Sequence, residues 1–185
     1  MQASSEVSCE HQSRHYQQLV DIFNQCFADT EHTILVRGDD EPYYRPAAEG
    51  ETYHQVVFAH GFFASALHEV AHWCIAGRVR RHIFDYGYWY VPDGRNAMQQ
   101  QQFEKVEVKP QALEKLFSVC AGVPFQVSVD NLSGVEVNRQ AFNSKVSDQL
   151  FDFMRTSLPT RAKVFAQALC RYYQRPWPSV ESLAR

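Results

Sequence analysis

The sequence predicts an α+β fold, and three observations predict it. Two short apolar runs, residues 33–36 and 55–59, have the length and composition of strands. The segment 62–77 has no internal Gly or Pro and runs for about four helical turns. Beyond Asn96 the chain carries long helical patterns. A chain of 185 residues, 45% hydrophobic and 14% aromatic, suits a single compact domain with one core.

Taken in order, residues 1–13 are Ser-, Glu- and Gln-rich and are expected to form a flexible tail before a domain over 14–185. A first helix is expected from about Arg14 to Phe27, with Tyr16, Leu19, Val20, Phe23 and Phe27 on one apolar face. Residues 33–36 read as a strand. Residues 38–42 form a turn that sets Asp39, Asp40 and Glu41 side by side, and the loop continues to Gly50. Residues 55–59 are the next strand. The helix over 62–77 should end on Gly77. The aromatic run 84–91 reads as a third strand, closed by a turn at Pro92, Asp93 and Gly94. From about Asn96 a helical pattern runs to Ala121, and Pro110 inside it predicts a kink or two abutting helices. Residues 125–129 are a candidate extended segment and 131–134 a loop. Two closing helices, 138–158 and 160–173, are separated by Pro159, and Trp177 is expected to pack back on the body.

Charge and cysteine content narrow the function. Eighteen basic against 21 acidic residues give a net charge of −3, which argues against a bulk nucleic-acid binder. The five cysteines are an odd, widely spaced set with no Cys-x-x-Cys pair, so they read as reduced thiols of a cytoplasmic protein. Cys74, Cys120 and Cys170 lie in apolar stretches and are expected in the core. The first residues have no apolar stretch of the signal-peptide kind, and no run is apolar enough for a membrane span.

The most informative motif is His68-Glu69-Val70-Ala71-His72. On a helix, residues four apart share a face, so two imidazoles so placed can ligate one divalent metal ion. Leu67, Val70, Ala71, Cys74 and Ile75 make the same helix apolar on most sides, and two histidines and a glutamate in that setting need partners. In metalloproteases of this pattern the glutamate is the general base toward metal-bound water. Two histidines leave the ligand set incomplete. Glu107, flanked by Val106 and Val108, is the preferred third ligand; Glu104, beside Lys105, fits a solvated face better. Asp85 and the acidic cluster at 39–41 are weaker alternatives. His60 could line the site or cap the helix, and His54 and His82 are expected in exposed turns. Two histidines and a carboxylate serve both non-heme iron oxygenases and zinc peptidases, so spacing alone leaves both open, beside a binding protein that uses the metal only for stability.

Longer blocks carry a resemblance. Residues 57–77 (VFAHGFFASALHEVAHWCIAG), 38–42 (GDDEP), 85–90 (DYGYWY), 92–95 (PDGR) and 103–113 (FEKVEVKPQAL) closely resemble the bacterial elongation factor P hydroxylases, over about residues 15–178. The resemblance implies a zincin-like arrangement of helices packed on a small sheet, with the metal site on a central helix. It implies hydroxylation of a β-lysylated lysine on elongation factor P, with Fe(II) as the expected metal and molecular oxygen as cosubstrate. His68 and His72 match the two histidine ligands, and Glu107 is the best match for the carboxylate. A cationic lysyl arm calls for carboxylates and aromatic faces near the metal. Asp39, Asp40, Glu41 and Asp93 are the candidate carboxylates, and Tyr88, with Tyr86, Trp89 and Tyr90, the candidate aromatic surface. No nucleic-acid or membrane partner is expected.

Overall fold

Leu19, Phe23 and Phe27 recur at helical spacing, and α1 (Ala3–Glu31) buries all three. The computed structural model describes residues 3–85, 93–129, 131 and 134–183, with side chains from residue 16 onward. Helix α1 starts at Ala3, well before the expected start near Arg14, and the side chains of residues 1–15 lie outside the described residues. The chain divides into two compact units, Met1–Gly87 and Tyr88–Arg185. Helices and a small sheet together make the fold α+β, as expected.

The first unit is a helix-and-sheet layer. Its sheet has the order β1-β3-β2, with β1 (Thr33–Arg37) parallel and β2 (Tyr43–Arg45) antiparallel to β3 (His54–Phe58). Val56, Val57 and Phe58 are buried in succession, as befits a central strand covered on both faces. Strand β1 lies at an edge, and Asn24 of α1 meets it there: its Oδ1 accepts the Leu35 N–H at 2.9 Å. Strand β2 falls where the sequence predicts a loop. Three residues carry too little periodicity to declare a strand, and only pairing with β3 defines it.

Helix α2 (Phe63–Ile75) follows β3 through a sharp bend in which His60 and Gly61 both have positive φ, 55° and 73°. A side chain at Gly61 would meet Arg37 and Tyr16 at 3.3 Å, so the bend requires glycine for space as well as conformation. The bend lays α2 against β3 and α1. Trp73 wedges its ring edge-on against Phe23 and Phe27, at centroid distances of 5.1 and 4.8 Å. One expectation fails here. The helix stops at Ala76 in extended geometry, φ −61° and ψ 123°, so Gly77 supplies no left-handed cap. Residues 86–92, which hold most of the third expected strand, lie outside the described residues; Asp85 before them makes one antiparallel bridge with Tyr44.

The second unit is helical. Asn96 opens α3 (Ala97–Ala121) with a reciprocal capping box: its Oδ1 accepts the Gln99 N–H and the Gln99 Oε1 accepts the Asn96 N–H, each at 3.0 Å. Asn96→Ala is expected to lower stability by about 1 kcal/mol. A urea titration checks it: the midpoint should fall with the slope unchanged, and an unmoved midpoint would show the cap to be idle. Helix α3 runs unbroken through Pro110, where a kink or a break was expected. Proline there removes one backbone bond, but the residue is buried and α3 is packed by α4 (Arg139–Arg155) and α5 (Thr160–Tyr172), which offsets the loss. Gly122, at φ 75°, ends α3 in the left-handed region.

Leu113, Leu116, Phe117, Phe142, Val146, Leu150, Phe165 and Leu169 form this unit's apolar core, with Phe117 edge-on to Phe165 at 5.0 Å. Arg95 is fully buried beside it, a residue the sequence reading passed over. Its Nε donates to Gln100 at 2.9 Å, its Nη2 to the Val129 carbonyl, and its guanidinium lies 3.9 Å over the Phe103 ring. Residues 125–129 form no strand. Trp177 covers part of its surface but keeps 41% exposed, while its neighbour Pro178 and Leu183 in the short α6 (Val180–Leu183) are buried. Among the described residues no helix is long and apolar enough to cross a membrane.

Candidate metal centre

Helical geometry alone brings the two motif histidines together. On α2 the Nε2 atoms of His68 and His72 are 3.0 Å apart, with ring centroids at 4.7 Å and planes inclined at 64°. Both rings are half-buried. Their helix neighbours Ala66, Leu67, Val70, Ala71, Trp73 and Cys74 are buried, so the pair rises from an apolar base that fixes the helix in place. Rigid support of this kind keeps the two ring nitrogens converged. Glu69 is half-buried on the same helix.

In the second unit, Glu107 lies in the middle of α3 with 1% of its surface exposed. The expectation of burial holds, but not for the reason the sequence suggested. Val106 and Val108 are only half-buried, because adjacent residues on a helix point to different sides. Phe103, Pro110, Gln111 and Glu114, three, four and seven residues away, are the ones that share its buried face. The Gln111 Nε2 stands 3.4 Å from Glu107 Oε2. Gln111 was not singled out from sequence, although its i, i+4 spacing from Glu107 was available as a signal.

Glu104 is not on a solvated face. Its carboxylate accepts from Lys145 of α4 at 2.7 Å, and its side chain is 16% exposed. The sequence neighbour Lys105 drew attention away from this partner, 41 residues on. Asp85 is bonded to Arg80 Nε at 2.5 Å. Asp39, Asp40 and Glu41 are solvated on the loop after β1, with Asp39 at 4.0 Å from Arg37. Asp93 is exposed three residues before the α3 cap. Tyr88, with Tyr86, Trp89 and Tyr90, lies outside the described residues.

The remaining histidines divide. His60 is exposed, and its side chain does not cap α2: Phe62 is the N-cap residue and makes no side-chain cap bond. His82 is exposed in a short 3₁₀ turn, as expected. His54 is not in a turn; it sits on β3, where its Nδ1 accepts the Ala47 N–H at 2.8 Å. Burial, with smaller contributions from His82, Arg81 and His32, holds its imidazole below the usual histidine range. That hydrogen bond occupies the ring as structure. Cys74, Cys120 and Cys170 are buried as expected, and burial pushes the Cys120 thiol far up.

Fold and site together define an α+β protein whose helix α2 carries a convergent histidine pair. Over residues 22–183 the chain matches the family model described as Elongation factor P hydroxylase. It is 47% identical over 155 residues to the Elongation factor P lysine hydroxylase of Haemophilus influenzae, an alignment that spans 84% of this chain and 87% of that protein. The chain belongs to the elongation factor P hydroxylase family.

Proposed function

We propose that this protein is a metal-dependent protein hydroxylase, cytoplasmic, that adds a hydroxyl group to the β-lysylated lysine of elongation factor P, with His68, His72 and Glu107 holding the ion. The observation that carries the reading is the convergence of the two Nε2 atoms to 3.0 Å on an apolar, fixed helix. The donor chemistry supports it further: two imidazoles four residues apart on α2 leave a ligand set that one carboxylate completes, the role proposed for Glu107. Two imidazoles and one carboxylate, with positions left open, suit Fe(II). When bound, that metal supplies the activation of molecular oxygen. The family and the name of the Haemophilus influenzae relative support lysine on elongation factor P as the target. A zincin-like placement of helices over the sheet agrees with α2 lying against β3.

The chain's own groups have three tasks in this reading. His68 and His72 fix the ion on α2, and Glu107 brings one negative charge to balance it. Glu69 orients a ligand or the substrate amine. Asp39, Asp40, Glu41 and Asp93 offer carboxylates to the cationic lysyl arm, and Tyr88 offers an aromatic face.

Incubation of the Fe(II)-loaded protein with β-lysylated elongation factor P, followed by intact mass, tests the proposal. The expected result is the gain of one oxygen atom on the factor. Cleavage of the chain would establish a peptidase, and an unchanged mass would overturn the reading. Glu69→Gln sharpens the distinction. A zinc peptidase needs this glutamate as general base, because without it metal-bound water has no proton acceptor. The variant is expected to keep its metal and to retain measurable hydroxylation at a reduced rate, both read on one preparation. Complete loss of turnover with metal still bound would return Glu69 to a general-base role.

A further inference from the structure

We propose that Gln111 is the positioning residue that aims the Glu107 carboxylate; this rests on Glu107 being a metal ligand. The argument begins with the amide itself. A glutamine side chain offers one acceptor oxygen and an NH2 with two hydrogens, and which end is which follows from its partners. Here the backbone of Ser128 decides. The Ser128 N–H donates to Gln111 Oε1 at 3.1 Å, and Gln111 Nε2 donates to the Ser128 carbonyl at 2.8 Å. These two bonds close a ring between the side-chain amide and one backbone residue, and a reversed amide would set donor against donor and acceptor against acceptor. The orientation is therefore fixed, with one Nε2 hydrogen spent on Ser128.

The second hydrogen is turned to Glu107. Nε2 stands 3.4 Å from Glu107 Oε2, one helical turn back on the same buried face. This is a long hydrogen bond, so its stabilising effect on the fold is small. Its effect on direction is larger. Gln111 has no exposed surface and Glu107 only 1%, so water does not compete freely for that hydrogen. A carboxylate held through one oxygen loses rotamer freedom, which fixes the direction its carboxyl group faces. Partners that orient a ligating carboxylate in this way typically change metal affinity by ten- to a hundredfold when removed. The loop carrying Ser128 thereby sets the aim of a residue on α3 through one amide.

A double-mutant cycle with Mn(II) as the probe tests this, read as the dissociation constant by calorimetry and needing no turnover. Gln111→Met removes the donor at similar volume and is expected to weaken Mn(II) binding about ten- to a hundredfold in the otherwise native chain. In the Glu107→Ala background the same change is expected to have no further effect, because the group it acts through is gone. An equal loss in both backgrounds would show a merely structural role and overturn the proposal, as would an unchanged affinity in the native background. Should Gln111→Met fail to fold, Gln111→Asn keeps a polar amide in the buried position and draws the amide nitrogen back by one methylene, away from Glu107; the same two backgrounds then decide. If Glu107→Ala alone leaves Mn(II) affinity unchanged, the ligand assignment fails, and that result is distinct from a failure at Gln111.

Discussion

His68→Ala and His72→Ala are each expected to lower divalent-metal affinity by about two to three orders of magnitude and to remove hydroxylation with it. The size follows from ligand arithmetic. Four-ligand structural zinc sites bind with about 10–16 kcal/mol, or roughly 3 kcal/mol for each ligand. At 1.4 kcal/mol per factor of ten, one lost imidazole costs about a hundred- to a thousandfold. The fold should survive. Both rings are half-buried, alanine favours helix, and the residues that seat α2, Leu67, Val70, Trp73 and Cys74, are untouched. Metal content after dialysis, calorimetric affinity and circular dichroism on the same samples check the three statements together. Full metal stoichiometry in either variant would remove that histidine from the ligand set. Loss of helical signal would turn the result into one about stability.

Glu107→Ala is expected to weaken metal binding by a similar factor, whereas Glu104→Ala should leave it nearly intact. The contrast rests on what each carboxylate already does. Glu104 is committed to Lys145, a pair whose lysine is 58% exposed, and removing it should cost less than about 1 kcal/mol of stability. Glu107 is buried with an amide donor beside it, and its carboxylate is the one proposed to serve the ion. A Mn(II) titration of the two variants separates them. The reverse order, with Glu104→Ala losing the metal, would transfer the third-ligand role to Glu104.

The features legible in the sequence are those with local causes. The histidine pair was legible because i, i+4 spacing on an unbroken apolar helix sets the direction of both rings, whatever packs around it. Strands β1 and β3 were legible from consecutive apolar residues, and the start of α3 from its Asn96 cap. The long shared blocks made the family legible as well. Where local rules competed, they misled. Gly77 looked like a helix cap, yet α2 ends in extended geometry before it, and Pro110 looked like a break, yet α3 continues.

Only the tertiary structure decided the rest, because those features depend on partners distant in the chain. Strand β2 exists through pairing with β3, and no three-residue pattern specifies that pairing. Glu104 is tied to Lys145, 41 residues away, and the backbone of Ser128 orients Gln111 across 17 residues. Sequence could name Glu107 as a buried carboxylate, but it attributed the burial to the adjacent valines. The cause is the face of α3 shared by Phe103, Pro110, Gln111 and Glu114. Periodicity reveals which residues share a face; which face is covered, and which polar group waits there, is settled by packing between elements that the chain order does not encode.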